Sequence, residues 1–141
     1  MKKISPDHSV KELINHGVKI SDPNRFDLRG TLVCGKNVRI DINVIIEGNV
    51  KLENNVIIKS NCIIKDSKIG SNSKIKSYSI IKDSTVGNSC QIGPYARLRP
   101  KSILKNNVQI GNYVEIKSSI INDNCKINHL SFIGDTFLDK N

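Results

Sequence analysis

The chain has 141 residues, the size of one domain, with 38% hydrophobic and 4% aromatic residues and no tryptophan, so any core must be aliphatic. No apolar run approaches the roughly 18 residues that a membrane span needs, and the first ten residues lack the apolar stretch of a secretory signal, which predicts a cytoplasmic protein with no membrane partner. The net charge of +9 arises mainly from 17 lysines spread along the chain, without an aromatic–basic platform for stacking bases; it argues against a nucleic-acid partner and favours small anions.

Residues 1–31 read as a linker arm with a short helix. Ser9 is positioned to cap Val10–His16, Glu12 to complete a capping box, and Gly17 to stop the helix. His8 and His16 are then solvent-facing helix residues. Residues 18–31 continue as an extended arm with a turn at Asp22-Pro23-Asn24.

From Cys34 onward a repeat dominates. Steps of six, with occasional steps of five, lead from Cys34 through Ile40, Ile46, Leu52, Ile58 and Ile64 to Leu138. Of these 19 rungs, 18 are Ile, Leu or Val. Two residues before each rung, Leu32 excepted, stands a small or β-branched residue, such as Val44, Cys62, Ser79 or Ala96. Three before each rung, from Asn37 onward, Asn or Asp fills 11 of 18 places. Positions i and i+2 of a short strand face the same side, so rung and small residue both point inward. Asn and Asp tolerate the left-handed backbone that a corner requires.

Three hexads of about 18 residues close one triangular coil, and coils stack at the strand spacing of about 4.8 Å. Residues 32–141 are therefore an all-β parallel β-helix of about six coils. Periodicity does not set its hand. The four cysteines, at 34, 62, 90 and 125, fall on inward positions and match no zinc pattern, so they read as structural thiols.

Several stretches carry a family resemblance. They are Asp22-Pro23-Asn24-Arg25-Phe26-Asp27-Leu28-Arg29-Gly30, Val44-Ile45-Ile46-Glu47-Gly48-Asn49-Val50, Gly93-Pro94-Tyr95-Ala96-Arg97-Leu98-Arg99-Pro100, Gly111-Asn112-Tyr113-Val114-Glu115-Ile116-Lys117 and His129-Leu130-Ser131-Phe132-Ile133-Gly134-Asp135. In order and spacing they resemble the bacterial bifunctional enzyme N-acetylglucosamine-1-phosphate uridyltransferase / glucosamine-1-phosphate N-acetyltransferase, from about residue 10 to the end. The resemblance implies a left-handed β-helix and a homotrimer. It also implies acetyl transfer from acetyl-CoA to the amine of glucosamine 1-phosphate, on the route to UDP-N-acetylglucosamine. The family's uridyltransferase domain, with its glycine-rich loop and magnesium ligands, has no counterpart in these residues. Most acetyl-CoA contacts are expected beyond residue 141, so no acetyl-CoA-binding residue is assigned.

By this resemblance His129 is the base that activates the substrate amine, a task suited to an imidazole of reference pKa about 6.5. Arg99 and Lys117 match the positions that hold the sugar phosphate. They lie 18 residues apart, each one residue past a rung, so they leave the prism at the same corner of adjacent coils and could clamp one phosphate. His129 falls on a different edge, which points to a site shared between neighbouring subunits. Phe132 is assigned to substrate binding; the family usually has Tyr there, and the missing hydroxyl removes a hydrogen bond of roughly 0.5–1.5 kcal/mol. No metal ligand set is expected, since a hydratase of the carbonic anhydrase type needs three histidines and only His129 lies in the coils. The alternative to an enzyme is a non-catalytic trimeric β-helix scaffold.

Overall fold

The inward ladders of the sequence are the core of the protein. A computed structural model describes residues 2–4 and 10–139. In it every rung from Ile40 to Ile127 is buried, as is the small residue two places before each. Large and small side chains alternate across the narrow interior. The buried Ser67, Ser73, Ser84, Ser102 and Ser119 each donate a hydroxyl hydrogen bond to a backbone carbonyl, for example Ser67 Oγ to the Lys65 carbonyl at 2.7 Å. A serine there fills the space of a small residue without stranding a polar atom. Among the described residues no buried side-chain nitrogen or oxygen lacks a partner.

The coils have three faces. Strands Ile63–Lys65, Ile80–Lys82, Arg97–Leu98, Val114–Lys117 and Ser131–Gly134 form the first. Lys68–Ile69, Thr85–Val86, Ile103–Leu104, Ile120–Ile121 and Phe137–Leu138 form the second. The third runs from Lys19–Ile20 through Arg39–Ile40, Ile57–Ile58, Lys74–Ile75, Gln91–Ile92 and Gln109–Ile110 to Lys126–Ile127. All pairings within the coils are parallel, with partners 17, 18 or, at the first coil, 20 residues apart. The first two faces join into one sheet because Phe26–Cys34 and Val44–Leu52 run unbroken through the corner between them.

The corner ladder explains the Asn and Asp pattern. Seventeen non-glycine residues have positive φ, between 45° and 66°, and each lies three places before a rung. Asn49 is the one exception in that ladder; there Gly48 takes the left-handed conformation, φ +63°, beside Gly30 of the coil below. At one corner the Asn side chains also bond in a ladder, Asn37 Nδ2 donating to Asn55 Oδ1 and Asn55 Nδ2 to Asn72 Oδ1, both at 3.0 Å.

The coil pairing begins upstream of residue 32. Lys19–Ile20 pairs with Arg39–Ile40, and the partners of Phe26 to Cys34 are Val44 to Leu52. The extended arm read from the sequence is thus laid down as a first coil, because Leu28 and Leu32 supply the inward aliphatic positions below Ile46 and Val50. The expected turn is a short 3-10 segment, Pro23–Arg25, with Asp22 Oδ1 accepting from the Asn24 amide at 3.0 Å.

The helix Val10–Asn15 (α1) stops at Gly17, φ +95°, whose amide bonds the Ile14 carbonyl at 2.9 Å while the Val18 amide reaches Leu13. Leu13 is fully buried in the same apolar cluster as the rungs. The proposed cap Ser9 and His8 lie outside the described residues. His16 is exposed, with Nε2 3.8 Å from Glu12 Oε1. Lys2–Ile4 pairs antiparallel with Leu32–Cys34. No helix among the described residues is long and apolar enough to cross a membrane.

Candidate functional site on the first face

A parallel coil fixes where each outward side chain stands. On the first face the residue before a rung projects from the middle of the sheet, and the residue after it sits at the corner leading to the second face. Arg99 and Lys117 both hold this second position. Leu98 pairs with Ile116, and the Arg99 amide bonds the Ile116 carbonyl at 2.7 Å, so the two cations stand one above the other in adjacent coils. Both are partly exposed. Arg97, one residue before its rung, projects from the middle of the face and is exposed.

The structure adds a residue that the sequence reading does not single out. Glu115 Oε2 lies 3.0 Å from Arg99 Nη1, forming a charge-assisted pair across adjacent coils. Glu115 is also the register partner of Phe132. Phe132 is 61% exposed, and its ring folds over Gly134, where an added Cβ would come within 2.8 Å of Cε2. Gly134 is in turn the register partner of Lys117. Arg99, Glu115, Lys117 and Phe132 thus form one contiguous outward patch.

His129 stands elsewhere. It belongs to the turn between Lys126–Ile127 and Ser131–Gly134, at the opposite edge of the first face from Arg99 and Lys117. The segment is held by Ser131 Oγ, which donates to the His129 carbonyl at 3.1 Å, and by the Leu130 amide bonded to the Asn112 carbonyl at 3.2 Å. The residue is exposed. A single chain therefore brings together the two cations and Phe132, but not the histidine.

The edge that carries His129 also bears a ladder of tyrosines. Tyr78 and Tyr95 stack with ring centroids 5.0 Å apart and planes 3° apart; Tyr95 and Tyr113 follow at 5.4 Å and 15°. All three occupy left-handed corner positions and are about half exposed. Their spacings of 17 and 18 residues were the signal in the sequence. Among the described residues no group of three His, Cys, Asp or Glu side chains is arranged to hold a metal ion.

Stacked short strands, left-handed corners and an aliphatic–small interior define a parallel β-helix of the hexapeptide-transferase type. Two solved structures share this fold: the acetyltransferase domain of PglB from Neisseria gonorrhoeae (TM-score 0.55, 13% identity, 88% of this chain and 61% of that one) and a hexapeptide transferase family protein from Anaplasma phagocytophilum (TM-score 0.53, 12% identity, 83% and 74%). Residues 28–129 match the family described as the GMPPB C-terminal domain, and the chain belongs to that family. It also aligns with the bifunctional protein GlmU, as the sequence resemblance implies. Identity is 45% to that of Ruthia magnifica subsp. Calyptogena magnifica, over all of this chain and 31% of the relative. To that of Nitrosomonas eutropha it is 52%, over 90% of this chain and 28% of the relative. The chain spans about a third of the length of these relatives.

Proposed function

We propose that the chain is the acetyl-transfer part of a GlmU-type enzyme and works as a homotrimer. Its substrates are acetyl-CoA and glucosamine 1-phosphate. Arg99 and Lys117 hold the phosphate, with Glu115 orienting the Arg99 guanidinium, and Phe132 packs beside the sugar. The uncharged amine attacks the thioester carbonyl and its proton passes to His129; as the carbon–sulfur bond breaks His129 returns that proton to the sulfur, and coenzyme A leaves as the thiol. Magnesium has no part in this step; in the family it serves the uridyltransferase domain.

The observation that carries this reading is the stacked pair Arg99 and Lys117, on the same face that ends in the exposed His129. Because those groups occupy opposite edges of one face, the histidine of one subunit would serve the cations of its neighbour. The alternative, a non-catalytic trimeric scaffold, draws support from Phe132 at a position where the family usually carries a hydroxyl.

The test is coenzyme A thiol release from acetyl-CoA, dependent on glucosamine 1-phosphate, with the His129→Gln and Lys117→Ala variants. The acetyltransferase reading predicts loss of kcat in the first and a raised KM for the sugar phosphate in the second. Trimers without turnover would support the scaffold.

A further inference from the structure

Lys65 and Lys82 are register partners at the ends of Ile63–Lys65 and Ile80–Lys82. Ile81 pairs with Leu98, and Leu98 with Ile116. The next residue along each strand therefore stacks Lys65, Lys82, Arg99 and Lys117 in one column, one cation per coil. At about 4.8 Å per coil the column is about 14 Å long.

Like charges directly opposite each other on neighbouring strands are destabilising. Elsewhere this protein neutralises such pairs. Lys51 and Lys68 are also register partners, but Glu53 Oε1 sits 3.4 Å from one ammonium and 3.7 Å from the other. In the column only Arg99 is ion-paired, with Glu115; below Lys65 the column ends at its register partner Glu47. Among the described residues no carboxylate lies within 4.0 Å of the Lys65, Lys82 or Lys117 ammonium. The adjoining Asp66 and Asp83 line a cleft over the second face together with Lys51 and Lys68. Lys65 is exposed, and Lys82 and Lys117 are partly so.

We propose that this column is a track for linked phosphoryl groups, and that Lys82 is the residue that makes the site prefer a ligand with two or more linked phosphates over a single phosphate. The proposal rests on the reading that Arg99 and Lys117 hold the phosphate, and it extends that site along the helix axis. A line of four cations, three of them without an ion-pair partner among the described residues, matches a linear polyanion, and each bound phosphoryl group relieves the repulsion between its two nearest cations.

The test is calorimetric titration of the purified protein with inorganic phosphate, pyrophosphate and tripolyphosphate at one ionic strength. Affinity should rise along that series. Lys82→Gln should weaken tripolyphosphate by about tenfold, the loss of one charge-assisted contact. It should leave inorganic phosphate within about twofold, and the neutralised control Lys68→Gln should leave all three anions within the same margin. Equal loss in Lys82→Gln and Lys68→Gln, or no loss in Lys82→Gln, would overturn the track. Lys117→Gln separates this from the underlying reading. If it leaves inorganic phosphate binding intact while Lys82→Gln still weakens tripolyphosphate, the track stands and the sugar-phosphate clamp fails.

Discussion

Arg99 and Glu115 meet diagonally across two coils, Nη1 to Oε2 at 3.0 Å, so the guanidinium beside Lys117 is held in place by a carboxylate from the strand above. Both side chains are 36% exposed, and an exposed pair of this kind contributes less than about 1 kcal/mol. Glu115→Gln should therefore shift the unfolding midpoint little while strengthening inorganic phosphate binding several-fold, because a negative charge leaves the patch. Urea unfolding and phosphate titration of the variant check both halves. Weaker phosphate binding would show that orienting Arg99 matters more than the charge removed.

The rungs carry the stability of the prism. Ile81 is fully buried between Ile64 and Leu98 in the stack, with no free surface into which the gap could collapse. Ile81→Ala should cost about 2–5 kcal/mol, measured by urea unfolding. A cost below about 1 kcal/mol would mean that the coils close over the cavity.

At the corners, the left-handed conformation costs an ordinary side chain roughly 1–2 kcal/mol. Lys101 adopts φ +66° with an exposed side chain. Lys101→Asn should therefore raise stability, by up to about 1 kcal/mol. A lower thermal midpoint would show that the lysine contributes through contacts outside its own corner.

Burial pushes the Cys62 thiol up to about 11, and hydrogen bonds from the Ser79 and Tyr78 backbone only partly oppose it. In the unfolded chain a thiol titrates near 8.5. Above that pH the unfolded state loses protons that the folded state keeps, so stability is fully present below it and falls as pH rises toward 11. The thiol should also resist an aromatic disulfide reagent at pH 8 until the protein unfolds. Rapid reaction in the folded state would contradict the inward placement.

The interior was legible because Ile, Leu and Val recur at the coil period and Asn or Asp marks the corners. Three features were not. Asp22–Arg25 interrupts the period, so the pairing of Lys19–Ile20 with Arg39–Ile40 at an offset of 20 left no trace in the spacing. At the Gly48–Asn49 corner the glycine takes the turn one residue early. The Arg99–Glu115 pair joins residues 16 apart, a diagonal that depends on side-chain direction rather than on backbone register. The stacking of Arg99 and Lys117 was readable, since a separation of 18 is one coil.

The central claim, an acetyl-transfer site built from two subunits, is tested most directly by complementation. His129→Ala and Lys117→Ala proteins, each inactive or strongly impaired alone, are unfolded together and refolded as a mixture, and acetylation of glucosamine 1-phosphate is measured. The account predicts recovery of part of the wild-type turnover, because some subunit boundaries in mixed trimers pair an intact His129 with an intact Lys117. No recovery from mixed trimers, with active wild-type protein refolded in parallel, would contradict it.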